Sequence, residues 1–185
     1  MARESSHRIL YLAAFCTAIS IAVATAVLLA WYAEWPRIIQ PLPQSGFMAF
    51  NTALSLLFLG IATILLLTGY RRGAIIPPAL LSLATLAEYL FDANIGMDEF
   101  FVRAYVTHPT AAPGRSAPNT SVAIFLGCVT IVNYAIFRRH VAQLIFSQML
   151  AVAILTAAVS AMVGHAIRLE PLAGWYGLTH MAPHT

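Results

Sequence analysis

The chain has 185 residues, of which 60% are apolar and 9% are charged; 10 are Lys or Arg and 7 are Asp or Glu, for a net charge of +3. Soluble domains carry about 25% charged residues. So few charges cannot cover a soluble globule, which excludes a soluble enzyme, a disordered tail and a nucleic-acid binder of the basic-patch kind, and leaves one compact integral-membrane domain.

The first predicted element covers residues 9–31. Arg3 and Arg8 precede it, as in a secretory signal, but the uncharged run from Ile9 to Ala33 has 25 residues. That exceeds the roughly 7–15 residues of a signal h-region and fits a retained spanning helix. Ala14, Ala18, Ala22, Ala26 and Ala30 recur every fourth residue in it. Small residues at helical spacing let a second helix approach closely. Further spans are expected at about 48–69, 74–90, 120–137 and 141–165. Each is apolar on every face, so length decides the assignment. Backbone groups in lipid must bond within their own segment, and no short alternating β-barrel segments occur. The expected fold is all-α: a polytopic transmembrane helix bundle of five spans.

Connections alternate in kind. Arg71/Arg72 and Arg138/Arg139 occupy tight turns, while the other loops are longer and rich in Pro, Trp, Tyr and acids. Arginine clusters mark cytoplasmic ends. The N-terminus and both tight turns are therefore expected on the cytoplasmic side of the membrane. The long loops then lie outside, with Trp31, Tyr32, Trp35, Trp175 and Tyr176 at the outer interface. Cys16 and Cys128 both sit in apolar stretches and are read as buried thiols, not as a disulfide framework.

A repeat underlies the pattern. Met48-Ala49-Phe50-Asn51-Thr52, Ser116-Ala117-Pro118-Asn119-Thr120 and Met181-Ala182-Pro183-His184-Thr185 are three similar helix starts. After the first two, Phe58-Leu59-Gly60 answers Phe125-Leu126-Gly127, and Arg71-Arg72 answers Arg138-Arg139. The two-helix units run over about 47–115 and 116–180, with a third starting at 181. His184-Thr185 opens a helix the chain does not contain, so a sixth span is expected after Thr185, leading to a cytoplasmic effector. Asn51 and Asn119 are read either as N-caps of the first helical turn or as ligand contacts, and both roles are compatible. Pro118 and Pro183 are expected to precede the caps and stop earlier winding.

The repeated Asn-Thr helix starts, the Phe-Leu-Gly marks, the Gly114-Arg115-Ser116-Ala117-Pro118-Asn119-Thr120 stretch and Asn94-Ile95-Gly96-Met97-Asp98-Glu99-Phe100-Phe101 carry a resemblance. They are similar to the multi-spanning N-terminal membrane sensor regions of bacterial sensor histidine kinases and diguanylate cyclases. The resemblance covers most of the chain from Phe47 onward. It implies a sensory input domain in a bacterial inner membrane, upstream of a cytoplasmic PAS, kinase or GGDEF module in cis. It departs from that pattern in ending before the last span and in carrying His184 where Asn recurs.

Ionisable groups near the membrane are candidate sites. Glu88 and Asp92 are four residues apart, able to bind a cation or share a proton if the helix continues that far; the alternative is that both reach outer water and pair with Arg103 or Arg115. Together with Asn51, Asn119 and His184 they are the candidate ligand-binding residues, for a small molecule or ion. His165, His180, His184 and Met181 form an alternative set able to hold copper or haem in a redox membrane protein, although nothing in the sequence requires a cofactor. Asn133, Gln143 and Gln148 are expected to bond between helices, and Pro77 and Pro78 to sit in a first helical turn. No P-loop, cyclase, kinase or protease motif occurs, so catalysis is not expected in these residues. The expected partners are the lipid bilayer, the effector and, in a homodimer, a second copy.

Overall fold

A computed structural model describes residues 2–41, 46–69, 75–106, 113–137 and 140–167. Among these the chain forms six helices and no strand: α1 (Ala2–Tyr32), α2 (Pro36–Ile39), α3 (Phe50–Leu67), α4 (Ile76–Leu90), α5 (Pro118–Phe137) and α6 (Val141–Ile167). Four of them, with α1 counted from Arg8, are long and apolar enough to cross a membrane. The third predicted span, expected at about 74–90, is α4, a 15-residue apolar helix. At 1.5 Å per residue it is roughly 22 Å long, short of a hydrocarbon core of about 30 Å. Pro77 and Pro78 lie in its first turn, where missing amides cost nothing.

The helices pack as an antiparallel series around α3 and α5. The end of α1 meets the start of α3, where Trp31 Nε1 donates to the Met48 carbonyl at 3.0 Å. Lower down, Gly60 of α3 rests on Ile21 of α1; a Cβ at Gly60 would lie 2.5 Å from Ile21 Cγ1. α3 and α5 run in the same direction, since Thr52 meets Ser116 while Leu59 meets Gly127. α5 and α6 form a hairpin in which Asn133 Nδ2 donates to the Gln143 carbonyl at 2.8 Å and to Ser147 Oγ at 2.7 Å. Asn133 thus bonds between helices as its apolar setting requires, whereas Gln148 is exposed.

The exterior is apolar: Phe15 and Ile19 on α1, Leu80 on α4, and Leu155 and Val159 on α6 are all exposed. Such a surface is unstable in water and suited to lipid, which marks the chain as a membrane protein. The buried apolar cluster lies at one end, where Val27, Ala30, Trp31, Ile39, Phe47, Met48 and Phe50 meet.

Two expectations about α1 are corrected. The packing face is Ala24, Val27, Ala30 and Trp31, with Ile21 against Gly60; of the alanine ladder, Ala14, Ala18, Ala22 and Ala26 are exposed. Each four-residue step advances about 400°, so five alanines wind away from any one face. Trp31 is buried in the helix-end cluster, while Tyr32 and Trp35 are exposed. Cys128 is buried, but Cys16 is exposed; neither forms a disulfide.

Candidate functional site

The polar residues of an otherwise apolar chain gather at the end where α1 and α4 finish and α3 and α5 begin. Local chemistry brings them there. α4 stops because Asp92 takes a left-handed conformation (φ 47°) and the Ala93 amide turns back to the Glu88 carbonyl at 3.0 Å. That is a Schellman-type helix end, and Asp tolerates this backbone region better than most residues. Glu88 is thereby set at the last turn of α4, facing the loop that follows.

Before α5 the chain needs a second sharp turn. Gly114 supplies it with φ 72°, and a Cβ there would stand 2.9 Å from the Asp98 carbonyl oxygen. Gly therefore serves twice, by conformation and by close approach. The turn aims the next residue, Arg115, into the bundle end.

Arg115 is the hub. Its Nε donates to Asp98 Oδ2 at 2.7 Å, one Nη donates to the Ala93 carbonyl at 3.1 Å, and the same nitrogen lies 3.5 Å from Glu88 Oε2. Its guanidinium covers the Tyr89 ring at 5.3 Å, a cation–π arrangement that suits arginine better than lysine. Glu88 Oε1 accepts from the Ile95 amide at 3.0 Å. Glu88, Asp98 and Arg115 are only 1%, 5% and 8% exposed.

Around this charged centre, hydroxyl and amide groups tie the helix starts together. Thr52 Oγ1 donates to Ser116 Oγ at 2.7 Å, and Tyr89 donates to the Ser116 carbonyl at 3.0 Å. Asn51 Nδ2 donates to the Met97 carbonyl at 2.7 Å. The Asn51 carbonyl oxygen is buried and accepts no hydrogen bond among the described residues; the same holds for Asp98 Oδ1 and for Glu88 Oε2, which has only its ion pair with Arg115. Buried acceptors without donors are costly, so they mark where a proton or a ligand donor belongs.

Burial pushes the Asp98 carboxyl up to about 6; Arg115 opposes the rise, and the neighbouring Glu88 carboxyl adds to it.

The helix starts differ from expectation. α3 begins at Phe50 behind an Ala49 N-cap with no side-chain bond, and α5 begins at Pro118. Both asparagines therefore occupy the second helical position. Asn51 reaches sideways to another segment instead of capping, and Pro118 is the first helical residue rather than a stop before the cap. The parallel extends down both helices: Thr63 and Thr130 each donate to the carbonyl four residues back, at 2.8 Å.

Of the candidate ligand residues, Asn51 and Glu88 come to this junction, and Asn119 lies at the adjoining start of α5. Asp92 does not: it is exposed and ends α4, so the partner of Glu88 is Asp98, ten residues on, and not Asp92, four residues on. Asp98, Thr52 and Ser116 were not singled out as site residues, and Arg115 only as an ion-pair partner. His165 sits half-buried near the end of α6. His180, Met181 and His184 lie outside the described residues, as do Arg71, Arg72, Arg138 and Arg139. Among the described residues no group of three or more His, Cys, Asp or Glu could hold a metal ion. Comparison with known proteins finds no matching family model, curated protein or solved structure.

Proposed function

We infer that the chain is the membrane-embedded sensory input domain of a bacterial signal-transduction protein. In this reading five spans cross the inner membrane, with α4 as the short one. They are built on the two-helix repeat, with the N-terminus and arginine turns in the cytoplasm. A stimulus from the outer side acts on the junction of helix starts, changes how α3, α4 and α5 pack, and is relayed through a following span to a histidine kinase or diguanylate cyclase effector.

The observation that carries this reading is the buried polar junction itself. Arg115 binds the end of α4 to the start of α5, and the Thr52–Ser116 bond ties α3 to the same segment. A ligand that binds one arrangement of these bonds better than another shifts the population of helix packings. A transporter would show broken helices and more charge along the spans; here the buried charged residues among those described, Glu88, Asp98 and Arg115, gather at one end. The matched positions of Asn51 and Asn119, of Gly60 and Gly127, and of Thr63 and Thr130 support the repeat.

Reading the coding sequence past Thr185 tests the assignment. A sixth span followed by an in-frame kinase or cyclase module is expected. A stop codon, or a continuation of transporter type, contradicts it.

A further inference from the structure

The junction has two buried carboxyl groups for one guanidinium. Asp98 Oδ2 is held by Arg115 Nε at 2.7 Å, and Glu88 Oε1 by the Ile95 amide at 3.0 Å. The two remaining oxygens, Asp98 Oδ1 and Glu88 Oε2, are buried and make no hydrogen bond among the described residues; Glu88 Oε2 has only the 3.5 Å ion pair to Arg115. Both carboxyl groups are gathered on the one guanidinium, Asp98 Oδ2 at 2.7 Å from Arg115 Nε and Glu88 Oε2 at 3.5 Å from its Nη. With both ionised, the cluster would bury one uncompensated negative charge, which a low-dielectric site strongly resists.

We propose that the Glu88–Asp98 pair is a binding site for a single proton, taken up from water at the helix-start end, and that the protonated pair is the closed state of the junction. The proton resides on Asp98 Oδ1 and is donated to Glu88 Oε2. Both oxygens are then satisfied, and one carboxylate remains to match Arg115. An inorganic cation is the other way to fill the gap, but a guanidinium nitrogen 3.5 Å from Glu88 Oε2 opposes a second fixed positive charge there. Loss of the proton to water leaves two carboxylates against one arginine, and the segment joining α4 to α5 loosens.

The surrounding groups leave the pair to itself. α4 brings Glu88 and Tyr89, the loops bring Asp98 and Arg115, and the first turns of α3 and α5 bring no charged residue. Asp92, Glu99 and Arg103 are exposed, and Glu99 Oε1 is engaged by the Ala104 amide. Burial raises Asp98 to about 6, which sets the range in which the proton leaves. The proposal stands on the Glu88–Asp98–Arg115 geometry and does not rest on the sensory reading.

Infrared difference spectroscopy of the full chain in lipid nanodiscs, combined with hydrogen exchange at the Ile95 amide, tests it. The wild type is expected to show a protonated-carboxyl stretch that disappears with a midpoint near 6, and Ile95 protection, corrected for intrinsic exchange, that falls over the same range. Asp98→Asn replaces the proton by an amide donor to Glu88; it should lack the band and keep Ile95 protected throughout. Glu88→Gln should also lack the band, with Gln donating to Asp98, and provides a second chance if Asp98→Asn does not fold. A band that persists in either variant overturns the proposal. So does a wild type with no protonated carboxyl between about pH 5 and 8 beyond that of the variants, or with pH-independent Ile95 protection.

Discussion

Arg115 Nε and Asp98 Oδ2 meet at 2.7 Å across 17 residues of sequence, in a site closed to water. This contact turns a long polar loop into part of the bundle, because the same guanidinium also holds the Ala93 carbonyl and faces Glu88. Removing one partner of a buried ion pair leaves a charge without compensation and costs roughly 3–5 kcal/mol. Arg115→Leu is therefore expected to lower unfolding stability in detergent micelles by about that amount. Arg115→Lys should lose less, because it keeps the charge, but not all the bonds of the guanidinium fork. Equal stability of all three proteins by thermal unfolding would contradict this role.

Gly114 determines whether Arg115 can reach the site. Gly114→Ala meets two obstacles: a φ of 72°, and a Cβ placed 2.9 Å from a backbone oxygen that has no side-chain freedom to yield. A loss of roughly 1–3 kcal/mol is expected. Gly69 also has a positive φ, but no atom stands within 4 Å of its Cβ position. Gly69→Ala should cost only the conformational part, so comparing the two variants by thermal unfolding separates strain from crowding.

The contact of α1 with α3 depends on Gly60. A Cβ there would press on Ile21 Cγ1, close to the branch point of a stiff side chain. Gly60→Ala should destabilise by about 1–3 kcal/mol despite the better helix propensity of alanine, and Ile21→Ala in the same chain should restore part of the loss. Gly127→Ala meets only Leu59 Cδ2 at 3.1 Å, the far end of a flexible side chain, and should be milder. Ala22→Leu, on the exposed side of α1, should change stability by less than about 0.5 kcal/mol.

The junction also makes stability depend on pH. Asp98 titrates near 6 in the folded chain against an ordinary 3.8, so the folded state holds its proton more tightly than the unfolded state. Its contribution is complete below about pH 4 and is lost as pH rises through 6. The loss is roughly 2 kcal/mol once screening by nearby water is allowed for. Unfolding at stepped pH should show this decline in the wild type and its absence in Asp98→Asn.

Much of the architecture was legible because length and apolarity are one-dimensional signals. The predicted spans at 48–69 and 141–165 correspond to Phe50–Leu67 and Val141–Ile167. The face that each helix turns inward was less legible. On α1 the alanine ladder suggested one side, yet the inward side is set by Gly60 on another helix, which periodicity within α1 cannot reveal. The site was half legible. Asn51 and Glu88 stood out as polar groups in or beside apolar runs. Asp98 and Arg115 lie in loops, where charge is ordinary, and they become exceptional only once folding buries them together. The signal was present in the Gly114-Arg115-Ser116 and Met97-Asp98 strings, which carry the turn glycine, the hub arginine and its acid. The Glu88–Asp92 spacing pointed elsewhere because Asp92 is the residue that ends the helix.

The most direct test of the sensory account is the output of the kinase or cyclase effector that the account requires, measured in intact cells for the wild type, Asp98→Asn and Ala22→Leu. The account predicts that Asp98→Asn fixes the output at one level whatever the stimulus, because the junction can no longer change state, while Ala22→Leu responds as the wild type does. An Asp98→Asn protein that folds, inserts and still responds normally would contradict it, as would a coding sequence with no effector.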